Sequence, residues 1–149
     1  MSVTPFPAGA VITRLRSKVS LLRDVGNAAD LATALKTQPK ALPCAFVLVE
    51  ERGGEPGGAS GGVLVQPVAV SVQVVLMVLN VRTTDTGSAA RDDMDALATA
   101  VDGALVNWTP GVGIPLWFQA GRDERFAAGL LVHQRIYRSN RRNQVNRNP

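Results

Sequence analysis

The run from Gln66 to Arg82, QPVAVSVQVVLMVLNVR, constrains this chain more than any other segment, because it reads as one long β-strand with two unlike faces. Side chains alternate across a strand, so Val70, Val72, Val74, Leu76 and Val78 share one side, while Ala69, Ser71, Gln73, Val75, Met77, Leu79 and Val81 share the other. The first side is a core face. The second begins small and polar and turns apolar, so its later half needs a cover, either a helix of the same chain or a neighbouring copy of the protein.

With 149 residues, 46% of them hydrophobic, the chain is sized for one domain whose core needs neither metals nor disulfides. The single cysteine, Cys44, has no partner for an internal disulfide, and MSVTPFPAGAVITRLR lacks the basic-then-apolar order of a signal peptide. The longest apolar stretch, Val74 to Leu79, falls far short of the ~20 residues of a membrane helix. The expectation is a soluble protein that folds in a reducing cytoplasm, with no membrane contact. Charge divides unevenly. Residues 1–125 hold eleven Lys or Arg against twelve acids, whereas residues 126–149 hold five Arg and no acid. Residues 1–138 are expected to form the domain, and residues 139–149, SNRRNQVNRNP, a basic flexible arm that orders on a partner. That tail has no interleaved aromatics, so nucleic-acid binding is the lesser reading.

Val11, Ile12, Leu15, Val19 and Leu22 recur at helical spacing after Pro5 and Pro7, which predicts an amphipathic opening helix closed by Gly26. Asn27 is placed to cap a second helix carrying Leu31 and Leu35, and Pro39 and Pro43 bracket a turn. Cys44 to Glu51 reads as a strand, joined to the two-faced strand by the glycine-rich loop Gly53 to Gly62, for which no fixed backbone is expected. After a polar connection from Thr83, with Ser88 as N-cap, a helix from Ala89 to about Asn107 carries Met94, Leu97, Val101, Leu105 and Trp108 on one stripe. Thr109, Pro110, Gly111 and Gly113 stop it. Ile114 to Ala120 and Phe126 to Arg138 then read as a strand pair turning at Gly121 to Glu124. The fold class is α+β, with a largely antiparallel or mixed sheet and helices packed on one face.

No catalytic constellation survives inspection of count and context. Gly58-Ala59-Ser60-Gly61-Gly62 matches G-x-S-x-G with His133 downstream, but a nucleophile elbow needs a strand directly before the serine and a helix directly after, and this serine lies among glycines. His133 reads as a partly buried, hydrogen-bonded strand residue. One Cys and one His cannot supply the usual zinc set, and Cys44 reads as a small buried hydrophobe. Asp92, Asp93 and Asp95 sit in or near the first turn, where the helix dipole favours carboxylates, and Asp92, Asp95, Thr99 and Asp102 read as an ordinary solvated helix stripe, not a metal cluster. Trp108 reads as the anchor of the helix end. No catalytic residue, metal or cofactor is expected.

The order of these segments resembles the phage tail terminator family. The likeness rests on the N-terminal helix, Val25-Gly26-Asn27-Ala28-Ala29-Asp30-Leu31, the strand from Pro43-Cys44-Ala45-Phe46-Val47-Leu48, the long valine strand, Leu105-Val106-Asn107-Trp108-Thr109-Pro110, Gly121-Arg122, and Tyr137. It covers Pro7 to Arg138, departing from the pattern at Asn107, where a glycine is expected. The resemblance implies a non-enzymatic virion protein that forms a ring, usually a hexamer, on the head-proximal end of the tail tube. Its partners would be copies of itself, the major tail tube protein and a head–tail connector protein. It would sit in the neck of the virion, after assembly in the host cytoplasm. Val75, Met77 and Leu79 are then expected at the subunit interface. Arg138, Arg141, Arg142 and Arg147, with Gly57 and Ser60 in the glycine loop, are the expected partner contacts. The alternatives are another head–tail connector or tail-completion protein, a nucleic-acid-binding module, or a small hydrolase.

Overall fold

The structure is a computed structural model that describes residues 4–37, 41–57, 62–82 and 87–146. Pro39, Ser60, the connection at 83–86 and Arg147 lie outside the described residues.

The opening helix, α1 (Ala8–Lys18), starts directly after Pro7 and buries Val11 and Leu15. It stops earlier than its apolar stripe suggests. Val19 is its buried C-cap, and the chain turns into a three-residue strand, β1 (Asp24–Gly26), that the sequence reading missed. Gly26 therefore ends a strand, not the helix. The competing force is tertiary: β1 pairs in parallel with β2 (Cys44–Gly53), and Val25 becomes fully buried. Arg16 Nη2 donates to the Val25 carbonyl at 2.7 Å, and Arg23 N to the Pro43 carbonyl at 2.8 Å, fixing the return.

Asn27 caps α2 (Ala28–Lys36) as expected. Its Oδ1 accepts from Ala29 N at 2.9 Å and Asp30 N at 3.1 Å, while Asp30 Oδ2 accepts from Asn27 N at 2.9 Å.

The two-faced strand is β3 (Val63–Leu79), central in a mixed sheet of order β1-β2-β3-β5-β4, with β4 at Trp117–Ala127 and β5 at Leu130–Asn146. Every pair except β1 with β2 is antiparallel. Val70, Val72, Val74, Leu76 and Val78 are all buried, under α1 and α3 (Ser88–Leu105), as the alternation predicts. The stripe Met94, Leu97, Val101 and Leu105 supplies the other side of that core. The third helix lies elsewhere. α2 sits on the opposite face, where Leu31 and Ala34 cover Cys44, Phe46, Met77 and Val132.

Several boundaries differ from expectation; α3 ends at Leu105, and the strand expected from Ile114 begins at Trp117. The α3 N-cap is Gly87 at φ +71, one residue before Ser88. The final hairpin turns at Ala128 (φ +50) and Gly129 (φ +82), two left-handed residues that suit the twist of tight hairpins. A Cβ on Gly129 would stand 2.8 Å from the Asn80 carbonyl oxygen. Gly121 to Glu124 thus lies inside β4, which is exposed along its whole length and, as an edge strand, has no core side to exclude charge. Last, the segment expected as a flexible arm is strand as far as Asn146. Ser139 to Asn146 pairs residue by residue with Val70 to Val63 of β3, and that ladder orders a composition that would otherwise stay solvated. The glycine-rich loop is likewise partly fixed: Gly54 N and Gly57 N donate to the carbonyls of Pro67 and Val65 at 2.8 and 3.0 Å.

Candidate functional site

α2 covers only the β1 end of its face, near Met77. Beyond it, the same face of β2, β3, β5 and β4 is open, and cross-strand pairing defines its members: Glu50 and Arg52 on β2, Ala69, Ser71, Gln73 and Val75 on β3, Gln134, Ile136, Arg138 and Arg142 on β5, Ala120, Arg122 and Arg125 on β4. The centre of this face is small and neutral. Two shallow cavities mark it, one of about 150 Å³ bounded by Glu50, Arg52, Ala69, Ser71 and Arg138, the other of about 220 Å³ around Gln73, Ala120, Gly121, Arg122, Gln134 and Ile136.

Its charge is positive. Arg52 pairs with Glu50 at 3.1 Å and Arg122 with Glu124 at 2.8 Å, which leaves Arg125, Arg138 and Arg142 in excess among the described residues. Arg138 Nη1 donates to Gln119 Oε1 at 3.3 Å.

The expected interface residues divide. Val75 is half-buried on the open face, and Leu79 is 39% exposed beside a groove of about 460 Å³ that also takes in Leu21, Pro43 and Leu97. Met77 is different. It is 1% exposed beneath α2, so its cover comes from its own chain and no neighbour can reach it. Nor is that cover α3, which ends at Leu105 on the other side of the sheet; Trp108, just beyond it, packs half-buried on the other core with the Arg14 guanidinium 5.2 Å above its ring.

The expected partner contacts divide too. Arg138 and Arg142 lie on the open face, and Gly57 is exposed. Arg141 faces the other way and is held inside the fold: its Nε and Nη2 donate to Glu51 Oε1 and Oε2 at 2.6 and 3.1 Å, and Phe6 N donates to Oε1 at 2.8 Å. The Arg141 hydrogen bonds hold the Glu51 carboxyl below its ordinary range. Arg52, Gln134 and Ile136 were not singled out from sequence, and Gln73 and Arg122 were not expected as contact residues. Their period-two spacing carried the signal, but only the strand order brings them together.

On the helical side, one polar network ties α3 to the sheet edge. Asp102 accepts from Arg135 and from the Tyr137 hydroxyl, Asp123 accepts from Arg91, and His133 Nδ1 stands 2.8 Å from Asp123 Oδ1. Arg135 Nη1 stands 3.2 Å from His133 Nε2. Both ring nitrogens are occupied within the fold, as the bland reading of His133 expected, which leaves neither to serve a serine hydroxyl as base. Burial, reinforced by the Asp102 carboxylate, pushes the Tyr137 phenol well above its ordinary range. The Cys44 thiol is pushed up to about 12 by burial and the Asp24 charge, which suits a buried hydrophobe. Among the described residues no group of three or more His, Cys, Asp or Glu is placed to hold a metal ion, and no helix is long and apolar enough to cross a membrane.

The family model described as "Phage tail terminator protein" matches residues 1–147. Among solved structures, a chain of the "Virion of native gene transfer agent (GTA) particle" is similar, with a TM-score of 0.56 at 18% identity, covering 91% of this chain and 94% of that one. At that identity the likeness speaks to the fold. No curated protein matches the sequence.

Proposed function

Because the chain belongs to the phage tail terminator family, we propose that it closes into a homo-oligomeric ring, a hexamer, on the head-proximal end of the tail tube and there ends tube polymerisation. It is a non-enzymatic structural protein of the phage tail and a component of the virion. In this reading one side of the ring meets the major tail tube protein, the other meets a head–tail connector protein in the virion neck, and assembly takes place in the host cytoplasm.

The family match over 147 residues carries the reading. Physical logic supports it. A tube grows because each ring offers the next the interface it has just used, so a terminator must match that interface on one side and lack it on the other. A head-to-tail contact between copies closes into a ring when its rotation divides the circle. The open sheet face, with Arg138 and Arg142 on it, is a surface of the kind such a contact needs.

Native mass measurement followed by addition to polymerising tube protein tests the proposal. The expected outcome is a ring of fixed stoichiometry that holds tubes at a fixed length. A chain that remains monomeric, or a ring that lets tubes elongate unchanged, overturns it.

A further inference from the structure

We infer that the seam between copies joins the outer face of α3 in one subunit to the open, arginine-bearing sheet face of the next. The inference rests on the ring reading and names its contact surface.

Charge is the first argument. Along α3, Asp92, Asp93 and Asp95 are exposed near its start, and the nearest cation, Arg91, is already shared between Asp95 and Asp123. The open face has the opposite balance, with Arg52, Arg122, Arg125, Arg138 and Arg142 against Glu50 and Glu124. Complementary potentials of this kind select partner and register.

Shape is the second. The outward stripe of α3 continues from the aspartates through Ala96 and Thr99 to Gly103, all exposed. Glycine inside a helix costs about 1 kcal/mol relative to alanine. Nothing in the fold explains it here, because a Cβ built on Gly103 meets no atom within 4 Å. A smooth helix surface over a trough floored by Ala69, Ser71, Gln73, Ala120 and Gln134 lets backbone approach closely, and there Gly103 has a use. An 18-residue helix is about 27 Å long, enough to span the roughly 14 Å from β2 to β4.

Topology is the third. α3 and the open face lie on opposite sides of one sheet, so each copy gives a different surface to each neighbour. That is the heterologous contact a ring requires, and it excludes a closed two-fold pair.

Native mass spectrometry and thermal unfolding of four full-length variants test the seam. Gly103→Leu is expected to melt no lower than the wild type, since the isolated fold has room for the side chain, yet to run at monomer mass. Asp92→Arg/Asp95→Arg and Arg138→Glu/Arg142→Glu are each expected to lose the ring, and the four changes together to regain it. Rings that persist in Gly103→Leu and in the aspartate pair overturn the seam. Intact rings that no longer stop tubes also overturn it, since the two faces would then belong to the tube contact. A wild type that stays monomeric is the separate failure of the ring reading itself.

Discussion

Asp102 of α3 grips Arg135 of β5 with both carboxylate oxygens, Oδ1 at 2.9 Å from Nε and Oδ2 at 2.6 Å from Nη2, and the same Oδ1 accepts from the Tyr137 hydroxyl. The guanidinium in turn lies 4.4 Å from the centre of the Phe118 ring on the edge strand. One helix carboxylate thus holds the last two strands to the core.

Asp102→Ala should therefore act as a stability variant. It strands a mostly buried guanidinium and a buried phenol, at a cost of about 2–4 kcal/mol. Urea unfolding checks this, with the midpoint falling and the slope unchanged if the native fold persists. A loss under 0.5 kcal/mol, roughly the effect of an ordinary surface change, would contradict it.

Glu51 gives the fold an acid-sensitive tie. Hydrogen bonding from Arg141 outweighs its burial and depresses its folded-state pKa, so its contribution is complete above the unfolded glutamate value and is lost as pH falls through the lower folded value. Glu51→Gln should cost about 1–3 kcal/mol at neutral pH. The gap between variant and wild type should then narrow below about pH 4.3. Chemical denaturation at several pH values measures it, and a gap independent of pH would refute the assignment.

Met77 and Val75 stand two residues apart and should respond differently to the same change. Met77→Asp places a carboxylate under α2 among Cys44, Phe46 and Val132, where loss of packing and an unpaired charge together cost about 3 kcal/mol or more. Its folded monomer should be lost or strongly destabilised. Val75→Asp, half-buried at the rim of the same cluster where the open face begins, should cost the fold less than Met77→Asp and weaken assembly. Circular dichroism melts alongside native mass separate the two effects, and equal melting points for the two variants would count against the placement of α2.

Cys44 should be inert in the native protein. With its thiol 1% exposed and its pKa raised to about 12, labelling by a disulfide reagent at pH 8 should be negligible until denaturant is added, then stoichiometric. Rapid labelling of the folded chain would contradict the burial.

The alternation of the Gln66–Arg82 run was sufficient to read the core face of β3, and the Asn27 cap was readable because both of its partners are local. What covers Met77 was not. Leu31 and Leu35 suggest a helix but carry no direction, and Leu35 in fact stays exposed while Ala34 makes the contact. The turn expected at Gly121–Glu124 failed because glycine and charge also suit an exposed edge strand. β1 escaped notice since three residues carry no periodicity, and its stability comes from pairing with β2. The open face shared this fate: Arg138 and Arg142 stood out as arm residues, and only the β3–β5 register places them beside Ser71 and Pro67.

That register also sets what can be removed from the chain. β3 is an interior strand from Val63 to Leu79 only because β5 runs the full distance alongside it. Cutting after Arg138 would strip the partner from Val63, Leu64, Val65, Val68 and Val70 and leave a row of unpaired amides and carbonyls beside apolar side chains, a template for aggregation. The asparagine- and arginine-rich end of this protein is thus its sheath against self-templating, and a truncation meant to trim a tail would expose its most adhesive edge.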